Sequence, residues 1–355
     1  MNIAVLFVPT VSNLQFRNLN KALIDSGCDV NCNIDEFWNP SKIYDILHIQ
    51  FPEFLYGYSQ SRIKIYQRKI EEKVVRQLKY FNEIGTKIIW TAFNIKGHEQ
   101  KYYGERNLVY NEISKTCHGI ITMGPSYHDF LKKIYPELMG KPMVVIPHGH
   151  YIDSYSNNIS KIDARKLLNI NKNKIVLLVF GLQRKYKNIY FIYKAFKKVH
   201  KTNDKVQLLI AGAPWGIKRR VLLKLLDLFY SDIIIEPRYI NDDEIQIFFN
   251  ASDIAVFSFK NMITSGSIIL AQSFGLPVIV PNIGCFPDIV TKSTGFVYNN
   301  NDVDSCVEEI HNCVNSDFKR IGKAGKTTLE STSWNQIGHQ TKLFYEQILK
   351  NEINH

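Results

Sequence analysis

Residues 175–200 read IVLLVFGLQRKYKNIYFIYKAFKKVH. Ile175 to Phe180 form an unbroken apolar run of strand length, the pattern of a strand buried on both faces. Gly181 turns the chain, Asn188 is of a type that caps helices, and a helix follows. One strand, one turn and one helix make a βα unit, and its repetition implies a parallel sheet.

The pattern recurs on both sides of this stretch. Downstream, strands are predicted at Val206 to Ala211, Asp232 to Ile235, Ile254 to Phe257 and Val278 to Val280. Helices fall between them, one opening on a capping-box pattern over Asn241, Asp242, Asp243 and Glu244. Upstream, Ile3 to Val8, Ile46 to Phe51, Lys87 to Phe93, Gly119 to Met123 and Met143 to Ile146 read as strands. A helix over Phe16 to Ser26 ends at Gly27, and a long one lies between Gln60 and Ile84 with Val74, Leu78 and Phe81 on its apolar stripe. The polar stretch YIDSYSNNIS, Tyr151 to Ser160, reads as a linker. The expectation is an α/β protein of two doubly wound domains facing across a cleft: 1–150, then 151–160 as linker, then 161–355, the last helix packing back on the first domain.

The 355 residues allow two domains, and 45% hydrophobic content supplies two cores, which excludes a disordered chain. A net charge of +11 favours polyanionic partners such as phosphates or acidic lipid. No nucleic-acid-binding motif accompanies it, so no nucleic-acid partner is expected. No run of 18 apolar residues occurs, and Ile3 to Val8 is too short for a signal peptide. Six cysteines without a CxxC pair read as free thiols, hence a cytoplasmic protein. Between residues 60 and 80, Arg62, Lys64, Arg68, Lys69, Lys73, Arg76 and Lys79 face only Glu71 and Glu72. They suit an anionic membrane surface or a solvated outer face equally. Lys218 to Leu226 looks membrane-seeking in isolation but reads better as a helix covering a sheet.

Parallel sheets bind ligands beyond the carboxyl ends of their strands. There, Gly181 precedes Arg184, Lys185 and Lys187, a turn and three cations that suit a diphosphate, with a solvated basic loop as the competing reading. Thr264, Ser265, Gly266 and Ser267 open another helix and offer amides to an anion, although Ser and Thr cap many helices that bind nothing. Asp288, after another glycine turn, could meet ribose or sugar hydroxyls or merely start a helix. Arg238 and Tyr239 lie at a strand end where a base could stack, with a mere surface loop an equal reading.

Five motifs together resemble GT-B glycosyltransferases close to family 4, and within them bacterial exopolysaccharide and capsule enzymes of the xanthan mannosyltransferase kind. Asp45 to Glu53 (DILHIQFPE) is similar to their D-x-x-H-x-H-W-P-E, and Trp90 to Asn94 followed by Glu99 to W-T-x-H-N with H-E. Val145 to Gly149, Gly181 to Asn188 (G-x-x-R-x-Y-K-N) and Ser265 to Val290 complete the set.

The resemblance implies a nucleotide sugar, in UDP or GDP form, held by the second domain, with Gly181, Arg184, Lys187 and Ser265 to Ser267 on its diphosphate. It implies an acceptor in the first domain, a saccharide or one linked to a polyprenyl diphosphate. Fixed cations and a helix terminus stabilise the leaving diphosphate without a metal, so no cofactor and no metal ligand is expected. His148 is a candidate for donor or hinge contact. The family's two glutamates, eight positions apart, are replaced here by Met262 and Leu270, and Phe93 stands in place of a histidine. Inversion by direct displacement is therefore the better expectation, and it needs a base: His98, Glu99 or Glu53. A nucleotide-sugar epimerase and a catalytically silent nucleotide-sugar-binding subunit are the alternatives.

Overall fold

The computed structural model describes residues 3–8, 14–55, 64–94, 108–260 and 262–350, without the side chains of 64–67, 227 and 229. It divides into two compact units, Met1–Gly149 with Thr332–His355, and His150–Ser331.

Unit 1 contains β1 (Ile3–Val8), α1 (Leu14–Asp25), β2 (Cys28–Asn31), α2 (Asp35–Trp38) and β3 (Ile46–Ile49). It continues with α3 (Lys64–Glu83), β4 (Lys87–Thr91), α4 (Leu108–Thr116), β5 (Gly119–Thr122), α5 (Ser126–Ile134) and β6 (Met143–Val145). The strands form one parallel sheet in the order β2-β1-β3-β4-β5-β6. Its centre is apolar because β3, β4 and β5 are buried along their whole length. On α3, Val74, Leu78 and Phe81 are fully buried, while Lys69, Lys73, Arg76 and Lys79 are exposed.

Unit 2 contains α6 (Lys161–Leu167), β7 (Ile175–Phe180), α7 (Ile189–Thr202), β8 (Val206–Ala211), α8 (Ile217–Phe229) and β9 (Ile233–Glu236). Then come α9 (Ile245–Ala251), β10 (Ile254–Val256), α10 (Gly266–Ser273), β11 (Val278–Pro281), α11 (Phe286–Ile289), β12 (Gly295–Tyr298), α12 (Val303–Val314) and α13 (Phe318–Leu329). Its parallel sheet runs β12-β11-β10-β7-β8-β9. The stretch 151–160 is tied to this unit: the Tyr151 amide donates to Ser273 Oγ (3.0 Å), and the Asn158 and Ile159 amides donate to Gln246 Oε1. Under the sheet, Asp253 accepts from Arg165 Nη2 (2.6 Å), Lys161 Nζ and the Val176 amide (2.8 Å). The final helix, α14 (Trp334–Lys350), belongs to unit 1. There Lys342 Nζ caps the Ser26 carbonyl (2.7 Å), and Gly338 leaves no room for a Cβ against Ala22.

Two strands escaped the sequence reading, β2 and β12, and both are sheet edges. The other two edges, β6 and β9, were legible because MVV and IIIE keep an apolar run of three, whereas CDVN alternates with Asp29 and Asn31 and GFVY opens on a glycine. The capping box is met in part. α9 starts at Ile245, and the Glu244 carboxylate accepts from the Asn241 amide (3.3 Å), the reach-back bond of the box, while also pairing with the Arg238 guanidinium (2.6 and 2.7 Å). That pair occupies Arg238, which the sequence had offered to a base; Tyr239 stays exposed.

Candidate functional site

In unit 2 the chain order reverses between β7 and β10, since β8 and β9 extend one way from β7 and β10 to β12 the other. Beyond the carboxyl ends of two such strands the flanking loops part and leave a crevice. The loops there are 181–188 and 257–265, and they are laced together. Ser258 Oγ donates to the Lys187 carbonyl (2.6 Å), and the Lys260 amide donates to the Tyr186 carbonyl (2.8 Å).

Gly181 has φ +93°, a backbone conformation that demands glycine, and a Cβ there would stand 2.8 Å from the tip of Lys187, which would have to shift. Lys187 is buried, 7% exposed, with Nζ donating to the Phe180 carbonyl at 2.5 Å. Burial pulls its pKa down to about 8, and the neighbouring Arg184 charge adds to the shift. The Arg184 guanidinium lies over the Trp215 ring, 5.0 Å from its centroid. Asn188 takes a left-handed turn (φ 45°) before α7 and makes no side-chain cap, contrary to the cap expected of it.

The second cluster adjoins this loop. Ser265 caps α10, its Oγ accepting from the Ser267 amide (3.3 Å). The positive end of the α10 dipole therefore lies beyond β10, beside the cations of the 181–188 loop. Just before the cap lies Thr264, 8% exposed, whose buried hydroxyl has no hydrogen-bond partner among the described residues. Gly284 (φ +56°) presses against Ile263, where a Cβ would stand 2.4 Å from its carbonyl oxygen, and the Cys285 amide donates to that oxygen. This seats α11, with exposed Asp288 in its first turn, on the same segment. Gly181, Arg184, Lys187, Ser265, Gly266 and Ser267 thus meet at one sheet edge, and Asp288 stands on the adjoining turn.

Unit 1 has its own reversal, between β1 and β3. A small pocket of about 20 Å³ opens within the unit, lined among others by His48, Gln50, Phe93, His148 and Trp334. His48 is fully buried, its ring nitrogens held by Tyr345 Oη and Thr91 Oγ1 at 2.6 Å each. Burial drives its pKa to about 3, so it stays neutral and packed. Gln50, 1% exposed, has no hydrogen-bond partner on either amide atom among the described residues.

The other residues singled out from the sequence separate. His148 lies in unit 1, buried, with Nδ1 bonded to the Gly149 carbonyl (2.7 Å) and its ring edge-on to Trp334. Burial lowers its pKa to about 4. Glu53, expected to reach a cleft edge, is 3% exposed, and both oxygens are taken, by Asn94 Nδ2 (3.2 Å) and Tyr110 Oη (2.8 Å). Burial raises its pKa, with those hydrogen bonds pulling the other way. His98 and Glu99 lie outside the described residues. The sequence reading singled out Thr264 with Ser265 to Ser267 but missed Gln50 and Trp215. Gln50 had one signal, since it occupies the second histidine position of the D-x-x-H-x-H-W-P-E pattern.

Comparison with known proteins places this edge in context. Residues 160–328 match the family described as glycosyl transferases group 1. The GDP-mannose:glycolipid 4-beta-D-mannosyltransferase of Xanthomonas campestris pv. campestris is 23% identical over 242 residues, 67% of this chain and 61% of the relative. The matched region thus spans about three fifths of that protein's length. The sulfoquinovosyl transferase SQD2 of Arabidopsis thaliana is 32% identical over 112 residues, 30% of this chain and 21% of its own. Among solved structures, sucrose-phosphate synthase of Thermosynechococcus elongatus superposes with a TM-score of 0.74 at 15% identity, covering 99% of this chain and 100% of that one. Anabaena HepE, in complex with UDP and glucose, superposes with 0.70 at 13%, covering 98% and 100%. The fold is GT-B, and the residues that match group 1 glycosyl transferases lie within unit 2.

Proposed function

We propose that the chain is a glycosyltransferase that moves a hexosyl group from a nucleoside diphosphate sugar to a saccharide acceptor. The observation that carries this reading is the convergence of Arg184, Lys187 and the α10 N-terminus at the reversal point of a group 1 domain. As the glycosidic bond to the donor breaks, charge accumulates on the departing diphosphate. Two fixed cations and a helix dipole stabilise that charge with no reorganisation and without a metal.

The sugar is assigned to mannose from a GDP donor, and the acceptor to a lipid-linked saccharide, by similarity to the Xanthomonas enzyme. Assembly of a bacterial exopolysaccharide, capsule or O-antigen at the inner face of the cell membrane fits such an acceptor. Among the described residues no helix is long and apolar enough to cross a membrane. Transfer proceeds with inversion. Met262 and Leu270, both buried and apolar, hold the positions of the family's glutamates and offer no carboxylate to the donor. His98 or Glu99 takes the acceptor proton, and Glu53 anchors Asn94 and Tyr110 through its two oxygens.

Calorimetric titration with UDP and GDP, with and without magnesium, tests the donor site. Tight, magnesium-indifferent binding of one nucleotide is expected, and binding of neither would overturn the reading. Transfer assays on lipid-linked saccharides, with the product anomer read by NMR, test the reaction. Donor turnover without acceptor would indicate an epimerase, and donor binding with neither transfer nor hydrolysis a silent subunit.

A further inference from the structure

α8 covers the β8–β9 side of unit 2 with its inner face, where Leu223 and Leu226 are buried and Leu222 packs on the core. Its outer face is apolar too. Ile217 is 80% exposed, Val221 50%, Leu225 48% and Leu228 75%. At about 100° per residue these four fall within an arc of roughly 80°, along a helix about 20 Å long. Among the described residues no other helix exposes four large apolar side chains on one face.

The stripe has cationic borders. Arg220 and Lys224 lie along one side, Lys218 along the other, and all three are exposed. Over the whole helix four basic residues stand against one acid, Asp227. A partner for this face must accept inserted aliphatic side chains at its centre and supply negative charge on both flanks. An anionic bilayer does both, since its acyl boundary takes the apolar row while Lys and Arg stems reach up to the headgroups. The exposed face of α3 has the cations, Lys69, Lys73, Arg76 and Lys79, but among its described side chains only Tyr80 is large, apolar and exposed. Charge alone holds a protein near a surface; inserted apolar area gives it depth.

We propose that the outer face of α8, centred on Ile217, Val221, Leu225 and Leu228, is the surface by which this protein docks on an anionic lipid bilayer. The proposed reaction gives this docking its setting, but the surface is argued from exposure and charge alone.

The test is co-sedimentation of the full chain with phosphatidylcholine vesicles, with or without about one phosphatidylglycerol in three lipids. Binding is expected only with the anionic lipid, falling as salt rises. V221D/L225D should lower the partition coefficient by at least about tenfold. K218E/R220E/K224E should weaken binding and flatten its salt dependence. Unchanged UDP or GDP affinity in these variants shows that they fold. Wild-type protein that ignores both vesicles, or a V221D/L225D protein that binds as wild type, overturns the proposal. So does loss of binding on replacing only Lys69, Lys73 and Arg76 by Glu. A wild-type dimer that V221D/L225D converts to monomer, with no vesicle binding by either, would assign the face to a second copy instead. Failure of nucleotide binding in every form, with vesicle binding intact, would sink the proposed reaction and leave the docking surface standing.

Discussion

Lys187 offers the sharpest check on the donor site, because its charge in the free protein depends on pH near neutrality. Its ammonium is 7% exposed, donates to the Phe180 carbonyl and lies beside Gly181, with a pKa pulled down to about 8 by burial first and Arg184 second. At pH 7 the group is charged about ten times in eleven; at pH 9 it is neutral about as often. A nucleoside diphosphate that contacts Nζ needs the charged form and restores the pKa toward the ordinary lysine range. The dissociation constant should therefore rise about tenfold between pH 7 and 9, or 1.4 kcal/mol, while the diphosphate itself is already ionised. Calorimetry at pH 9 in buffers of different ionisation enthalpy should show uptake of about one proton on binding. Lys187→Met should bind more weakly at pH 7 and show neither the pH slope nor the proton uptake. The same shift has a stability consequence of defined sign. Between pH 8 and 10.5 the unfolded chain holds the proton that the native state has lost, so the free protein gains stability as pH rises, by roughly 3 kcal/mol. A wild-type affinity that is flat from pH 7 to 9 would refute the contact between Lys187 and the diphosphate.

Three further outcomes follow from single side chains. Arg184→Ala should weaken UDP or GDP binding by about 1.5–3 kcal/mol with the unfolding midpoint unchanged, and an unaltered affinity in calorimetry would remove Arg184 from the site. Gln50→Met should stabilise the protein by about 1–3 kcal/mol in urea unfolding, because a buried amide with no partner disappears. It should also lower transfer activity if the pocket holds a polar ligand, and a lower midpoint would show that Gln50 is satisfied after all. Asp253→Ala strands the buried Arg165 guanidinium, 6% exposed, and should cost about 3–5 kcal/mol in the unfolding of unit 2. A loss under 1 kcal/mol would mean that the Ala251 and Lys172 carbonyls hold Arg165 by themselves.

What could be read from the chain alone was whatever depends on local order. The runs Ile175 to Phe180 and Ile46 to Ile49 announce strands because a strand buried on both faces must be apolar throughout. The cations and small residues after them were legible because loops at strand ends carry ligand chemistry without needing to pack. β2 and β12 were not legible, since CDVN carries polar residues at alternate positions and GFVY opens on a glycine, while the other edge strands, β6 and β9, kept their apolar runs. Nor could sequence order show that the 181–188 loop is laced to 257–265, which depends on the reversal of strand order between β7 and β10.

Burial decided the remaining assignments. Glu53 looked like a base in a loop until packing closed both oxygens on Asn94 and Tyr110, and Gln50 looked ordinary until packing denied it any partner. The amphipathic row on α8 was visible as letters, but one-dimensional spacing cannot say which of two apolar faces a sheet will cover. Sequence by itself therefore determined the two βα series and the residue types at their strand ends, because hydrophobic periodicity and turn chemistry act over a few neighbouring residues. The tertiary structure alone decided which polar groups are satisfied, which cations are desolvated and which apolar side chains stay in water, because each is set by neighbours distant in the chain.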